Sequence, residues 1–142
     1  MPKIHRVLKD TEGKPAVGDR PTDLGVRVPA DIQPNTVGVV APGKGGMSVA
    51  PTPADLPTHR LPKRLQNLVS DARGIDTNIV WCLGEGDFID GAVANDLRLR
   101  LDPNGTRHGF VEPALPVPLE QYRRALAATR DAWVVDETGK TQ

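Results

Sequence analysis

The sequence predicts one α+β domain, built from small, mainly antiparallel sheets and closed by a C-terminal amphipathic helix. Three observations lead there. Short alternating or β-branched runs recur along the chain. They are separated by 14 Gly and 14 Pro, which force frequent turns and exclude a helical bundle. The clearest helical periodicity comes only after Pro118. With 142 residues the chain can bury one core and is too short for two, so residues 1–142 are read as a single domain.

Lys3 to Leu8 alternates, with Ile4, Arg6 and Leu8 on one face and His5 and Val7 on the other, as a first strand does. Asp10 to Pro15 carries turn residues that end it. From Gly18 to Asn35, prolines 21, 29 and 34 prevent a long regular element, so this stretch is expected to be a covering loop. Thr36–Val40 and Met47–Val49 flank Ala41–Gly46 and read as a strand-turn-strand hairpin. Leu61, Leu65, Leu68 and Ala72 recur at helical spacing behind Pro62, which predicts a short helix over 62–72.

Asn78 to Leu83 is apolar on both faces and reads as a central strand. Leu97–Leu101 alternates without a break, the Asp102-Pro103-Asn104-Gly105 turn follows, and Thr106–Glu112 should return antiparallel to it. In the last helix Leu119, Tyr122, Leu126 and Trp133 mark the buried face, and Glu120 and Arg124 stand as an i,i+4 pair. Residues 136–142 are polar and are expected to fray.

The 18 basic and 18 acidic side chains cancel to a formal charge of +0, so no overall field favours nucleic acid or an anionic membrane. No apolar stretch has the length of a signal peptide or a membrane span, and a cytosolic protein is expected. Cys82, the lone cysteine, sits in the run Ile79–Leu83 and reads as a buried, inert thiol. His5, His59 and His108 are too scattered for a metal site legible from spacing, so no metal is expected.

Candidate chemistry gathers at two places. Gly43-Lys44-Gly45-Gly46 can turn backbone N–H groups toward an anion or a carboxamide, although it lacks the spacing of the P-loop or of the dinucleotide fingerprint. An ordinary tight turn explains it equally well. On the returning strand Thr106, His108, Phe110 and Glu112 share a face, which puts His108 and Glu112 about 13 Å apart at the rise of a strand. They can line one cleft without touching. Arg6, Arg27 and Arg107 could gather round a pyrophosphate, because a planar guanidinium pairs well with phosphate oxygens. For any one of the three taken alone, a solvated surface charge is the better reading.

The order of His5-Arg6-Val7, then Val39–Val49, then Arg107–Pro113 before a helix resembles the type VI secretion exported toxin family, whose fold is similar to ADP-ribosyltransferases. The resemblance covers about half the chain, with the stretch 58–95 outside it. It implies NAD as cofactor, with Ser48 and His108 lining the NAD cleft at the ribose. It also implies Arg6 or Arg27 at the phosphates and the Gly45-Gly46-Met47 backbone near the nicotinamide, with Glu112 polarising the ribose or the acceptor. Where the family has a hydroxyl pair on its central strand, this chain has Met47-Ser48, and His5 replaces the aromatic before the first-strand Arg. An antibacterial effector acting in the target-cell cytoplasm, an unidentified cellular target and a cognate immunity protein follow from the same resemblance.

Two other readings compete with an NAD-using toxin. One is a nuclease toxin working through His108 and Glu112. The other is a non-enzymatic interaction or immunity-type domain whose polar residues decorate loops.

Overall fold

The structure, a computed structural model, describes residues 1–138. Its strands are β1 (Ile4–Thr11), β2 (Lys14–Pro15), β3 (Val39–Val40), β4 (Met47–Val49), β5 (Asn78–Leu83), β6 (Gly91–Ala94), β7 (Leu97–Leu101), β8 (Gly109–Pro113), β9 (Val117–Pro118) and β10 (Val134–Val135). The α-helix is α1 (Leu119–Ala127). Two four-stranded sheets run in the orders β10-β5-β1-β2 and β4-β8-β7-β6, and β3 pairs with β9 as a separate ribbon. Every pairing among these strands is antiparallel. The α+β reading therefore holds at the level of mixed structure, with antiparallel sheets and one C-terminal helix.

β5 is buried on both faces because both of its side-chain rows are apolar, and β1 beside it buries Ile4, Val7 and Leu8 together with the polar His5 and Arg6. Ile4, Leu8, Trp81 and Leu83 enter the main core with Met47, Val49, Leu97, Leu99 and Val111 of the second sheet and with Tyr122, Leu126 and Trp133. Val7 and Val80 turn the other way, onto Ala50, Leu56, Leu61, Leu65 and Ala72. The two sheets meet where His5 and Ala50 exchange backbone hydrogen bonds of 2.8 and 3.0 Å. This corner fixes β4 against β1.

Five local expectations are corrected. β3 and β4 do not pair with each other: β3 joins β9, and β4 joins β8. No α-helix forms over 62–72, only a 3-10 turn at Lys63–Leu65. Lys63 N donates to Gly74 O, Gly74 N donates to Leu61 O and Arg64 N donates to Asp76 Oδ1, so the chain closes back on itself instead of propagating a helix. Leu61, Leu65 and Ala72 are buried all the same.

α1 stops at Ala127, short of Trp133. The Thr129 hydroxyl donates to Leu126 O and accepts from the Trp133 indole at 2.9 Å, which ends the helix and still seats the tryptophan in the core. Glu120 pairs with Arg123 rather than with Arg124. At the C-terminus, Asp136 holds His5 and Lys3, and Glu137 holds Arg64, so these two residues are anchored. The rest of the expected frayed end beyond residue 138 lies outside the described residues.

Candidate functional site

The long loop over 18–35 covers the β1–β4 corner and encloses a cavity of about 300 Å³ there. That is the lower end of the range for small-ligand sites. Pro21, Arg27 and Asp31 come from the loop, Arg6 and Val7 from β1, and Ser48 and Val49 from β4. Asp55, Leu56, Pro57 and Arg60 form the opposite wall, and His108 stands at the end of the β7–β8 turn. Arg6, Arg27, Ser48 and His108, far apart in sequence, thus border one space. Ser48 does so because its neighbours Met47 and Val49 both face the core, which leaves the intervening side chain for the other side of β4.

The arginines differ in how they are satisfied. Arg6 is 7% exposed and forms no ion pair among the described residues. Its guanidinium donates to Asp23 O at 3.0 and 3.2 Å, to Pro21 O at 3.1 Å and to Ser48 O at 2.8 Å. Four of its five N–H groups are therefore spent on backbone, tying the loop to β4. Burial pulls its pKa down to about 10, partly offset by Asp31, and the group remains a cation at neutral pH.

Arg27 is neutralised by Asp31, which accepts its backbone N–H at 2.6 Å and its guanidinium at 3.0 and 3.2 Å. Arg60 donates to His59 Nε2 at 3.1 Å and to Pro21 O at 3.2 Å. It has no carboxylate partner among the described residues. Burial, and then the like charge of Arg27, push its pKa below the ordinary arginine value. Two cations at this cavity, Arg6 and Arg60, therefore lack a carboxylate counterion. An anion seated beside them would supply it.

His108 Nδ1 lies 3.1 Å from Asp102 Oδ2. A carboxylate only accepts, so Nδ1 is the donor, and in the neutral ring Nε2 then offers its lone pair. This is the arrangement in which a carboxylate orients a histidine for proton transfer. Asp102 is held below the usual carboxylate range by the Asn104 N–H and by His108. The ring also meets Phe110 edge-on, with centroids 4.8 Å apart.

Other candidates stand elsewhere. Gly45, Gly46 and Met47 do not face the cavity. Gly45 adopts φ +102°, where a Cβ would collide with Asp31 O, and Gly46 donates to that same carbonyl at 2.8 Å. Met47 is core, and its N–H donates to the Tyr122 hydroxyl at 3.2 Å. The glycine turn is packed backbone, with the Gly46 and Met47 N–H groups already used.

Glu112 is 1% exposed and is held by Arg100 at 2.7 Å and Arg98 at 3.2 Å. It also accepts the Gly43 N–H at 3.0 Å. Its role is to clamp the glycine turn onto β7 and β8, and it does not reach the space bordered by His108. Arg107 leaves the expected phosphate group altogether for a bidentate pair with Asp55, at 2.6 and 2.8 Å.

Sequence reasoning missed Arg60, Asp31, Asp55 and Asp102. Asp102 carried only a turn signal, and Arg60 stood just before the stretch expected to be helical, with no signal of its own. Among the described residues no helix is long and apolar enough to cross a membrane. Comparison with protein-family models, with curated proteins and with solved structures gave no match to this chain.

Proposed function

We propose that the cavity binds a small phosphorylated ligand, and that the ligand is NAD, cleaved at its nicotinamide–ribose bond by a toxin domain that transfers ADP-ribose to an acceptor or to water. The observation that carries the reading is the pair of buried or half-buried guanidinium groups without carboxylate counterions, Arg6 and Arg60, beside Ser48 and His108. A phosphate between Arg60 and Arg27 would restore local charge balance. The cavity has room for the ribosyl part of such a molecule, and the remainder would lie across its mouth.

In the cleavage step the C1′–N bond breaks and its electron pair leaves with nicotinamide. The acceptor oxygen attacks C1′, and its proton passes to His108 Nε2, oriented by Asp102. Arg6 contributes a fixed positive potential and holds the wall in place. The apolar side chains of Leu56 and Pro57 exclude water from the reacting centre. A toxin of this kind, active in the cell that makes it, requires an inhibitory partner.

Nicotinamide release from NAD, with and without lysate as a source of acceptors, tests the reading. Ser48→Ala and His108→Ala, made separately with melting temperature as the folding control, should each lower the rate, the histidine variant by about 100-fold or more. Folded variants with undiminished rate overturn the site. A native chain that neither consumes NAD nor transfers label from it, and is harmless when expressed in a bacterial cytosol, overturns the function.

A further inference from the structure

We propose that His5, Cys82 and Asp136 form a second site, for a thiophilic divalent cation of the zinc class, on the face of the β10-β5-β1-β2 sheet. One donor atom from each residue lies within 4.8 Å of the others. The three come from β1, β5 and the segment just after β10, and the ladder sets two of them side by side as the partnered pair His5 and Cys82. A nitrogen, a sulfur and a carboxylate oxygen are the donor set of three-ligand zinc sites, which keep a fourth position open. Ligand atoms about 3.3–3.7 Å apart suit a tetrahedral ion with bonds of about 2.0–2.3 Å. Small side-chain rotations bring these donors to that spacing.

His5 is 2% exposed, and its Nε2 gives a 2.8 Å hydrogen bond to Asp136, so Nε2 is the ring atom that faces the other donors. The buried Nδ1, which has no partner among the described residues, opens on the opposite edge of the ring, and an ion held by Nε2 leaves it unchanged. Asp136 already attracts a cation, since Lys3 Nζ sits 3.3 Å from its carboxylate. Lys3 is half-exposed and free to swing out, leaving the open side of the cluster to a metal ion and its water. Two charges on the ion would balance the Cys82 thiolate and the Asp136 carboxylate. The ion would staple the two-residue edge strand β10 to the sheet, independently of whatever the arginine cavity binds.

The test uses the full chain, reduced and freed of metal with a chelator, and titrated with Co²⁺ and then Zn²⁺. One equivalent of Co²⁺ should give a thiolate-to-metal charge-transfer band with tetrahedral ligand-field bands. Zn²⁺ should displace it and raise the melting temperature. Cys82→Ser should abolish the charge-transfer band, and Asp136→Asn should weaken binding by about tenfold or more. Lys3→Met leaves all three ligands in place and removes the resident cation, so it should tighten binding even if a ligand variant fails to fold. Absence of the charge-transfer band in both the native and Lys3→Met proteins overturns the site. So do bands that persist in folded Cys82→Ser.

Discussion

Two groups of arginines, one around Glu112 and one around the cavity, are solved in opposite ways. At Glu112 a single buried carboxylate is gripped by Arg98 and Arg100 and also holds the Gly43 N–H. Around the cavity Arg6 and Arg60 have no carboxylate partner among the described residues: Asp31 is taken by Arg27 and Asp55 by Arg107. The first arrangement pairs its charges, although Glu112 Oε2 and Arg98 Nε, 3.2 Å apart, make no hydrogen bond. The second leaves positive charge uncompensated where a small molecule can reach it. Buried charge costs free energy unless it is paired, so the unpaired cluster points to an absent counterion and the paired one to architecture.

Breaking the paired cluster should have the largest effect. Glu112→Ala strips two guanidinium groups and a turn N–H of their acceptor at once, and breaking a buried pair in this way costs about 3 kcal/mol. For a domain of this size that lowers the melting temperature by about 10 °C. Ligand binding at the cavity, measured well below that temperature, should be close to native. A variant that keeps its stability and loses activity would move Glu112 from architecture into the reaction.

Arg60→Met probes the open cluster from the other side. Loss of a charge-assisted contact of about 1.5–3 kcal/mol should weaken binding of ADP-ribose by about 10- to 100-fold, as read by calorimetry. The melting temperature should stay level or rise slightly, since Arg60 and Arg27 repel each other. Should stability fall and affinity hold, Arg60 would be a structural residue and the anion site would lose its main support.

The same contrast explains how much could be read in advance. Alternation was enough for β5 and for the β7–β8 pair, because both rows of β5 and the inward row of β7 are apolar and their burial follows directly. The corner of the sheets was not legible, since the partners of β3 and β4 are the distant β9 and β8 and local turn chemistry says nothing about them. Leu61, Leu65 and Ala72 gave a true burial signal and a false helical one. Three buried positions constrain which way side chains face, and the Gly74 backbone contacts decide the path. Ser48 and His108 were singled out through a family resemblance, and the fold places both beside the cavity. Arg60 and Asp102 became visible only when tertiary contacts showed one without a counterion and the other against a histidine.

The smallest effect belongs to the ion pair that spans the cavity's rim, Asp55 with Arg107. Burial pushes the Asp55 carboxyl up, but the hydrogen bonds from Arg107 and Thr52 outweigh it and hold its pKa below the ordinary value. A carboxylate depressed in the folded state binds fewer protons there than in the unfolded chain between the two pKa values. It therefore contributes stability that is fully present above the unfolded pKa of about 4 and is lost as pH falls through the lower, folded one. Arg107 is 67% exposed, and screening limits the contribution to about 0.5–1 kcal/mol. Native protein and Asp55→Asn should then differ in melting temperature by about 2–3 °C at pH 7, and the two curves should converge as pH drops below about 4. A difference that persists unchanged into acid would show that Asp55 acts through the shape of the Pro53–Asp55 turn and the cavity wall, and not through its charge.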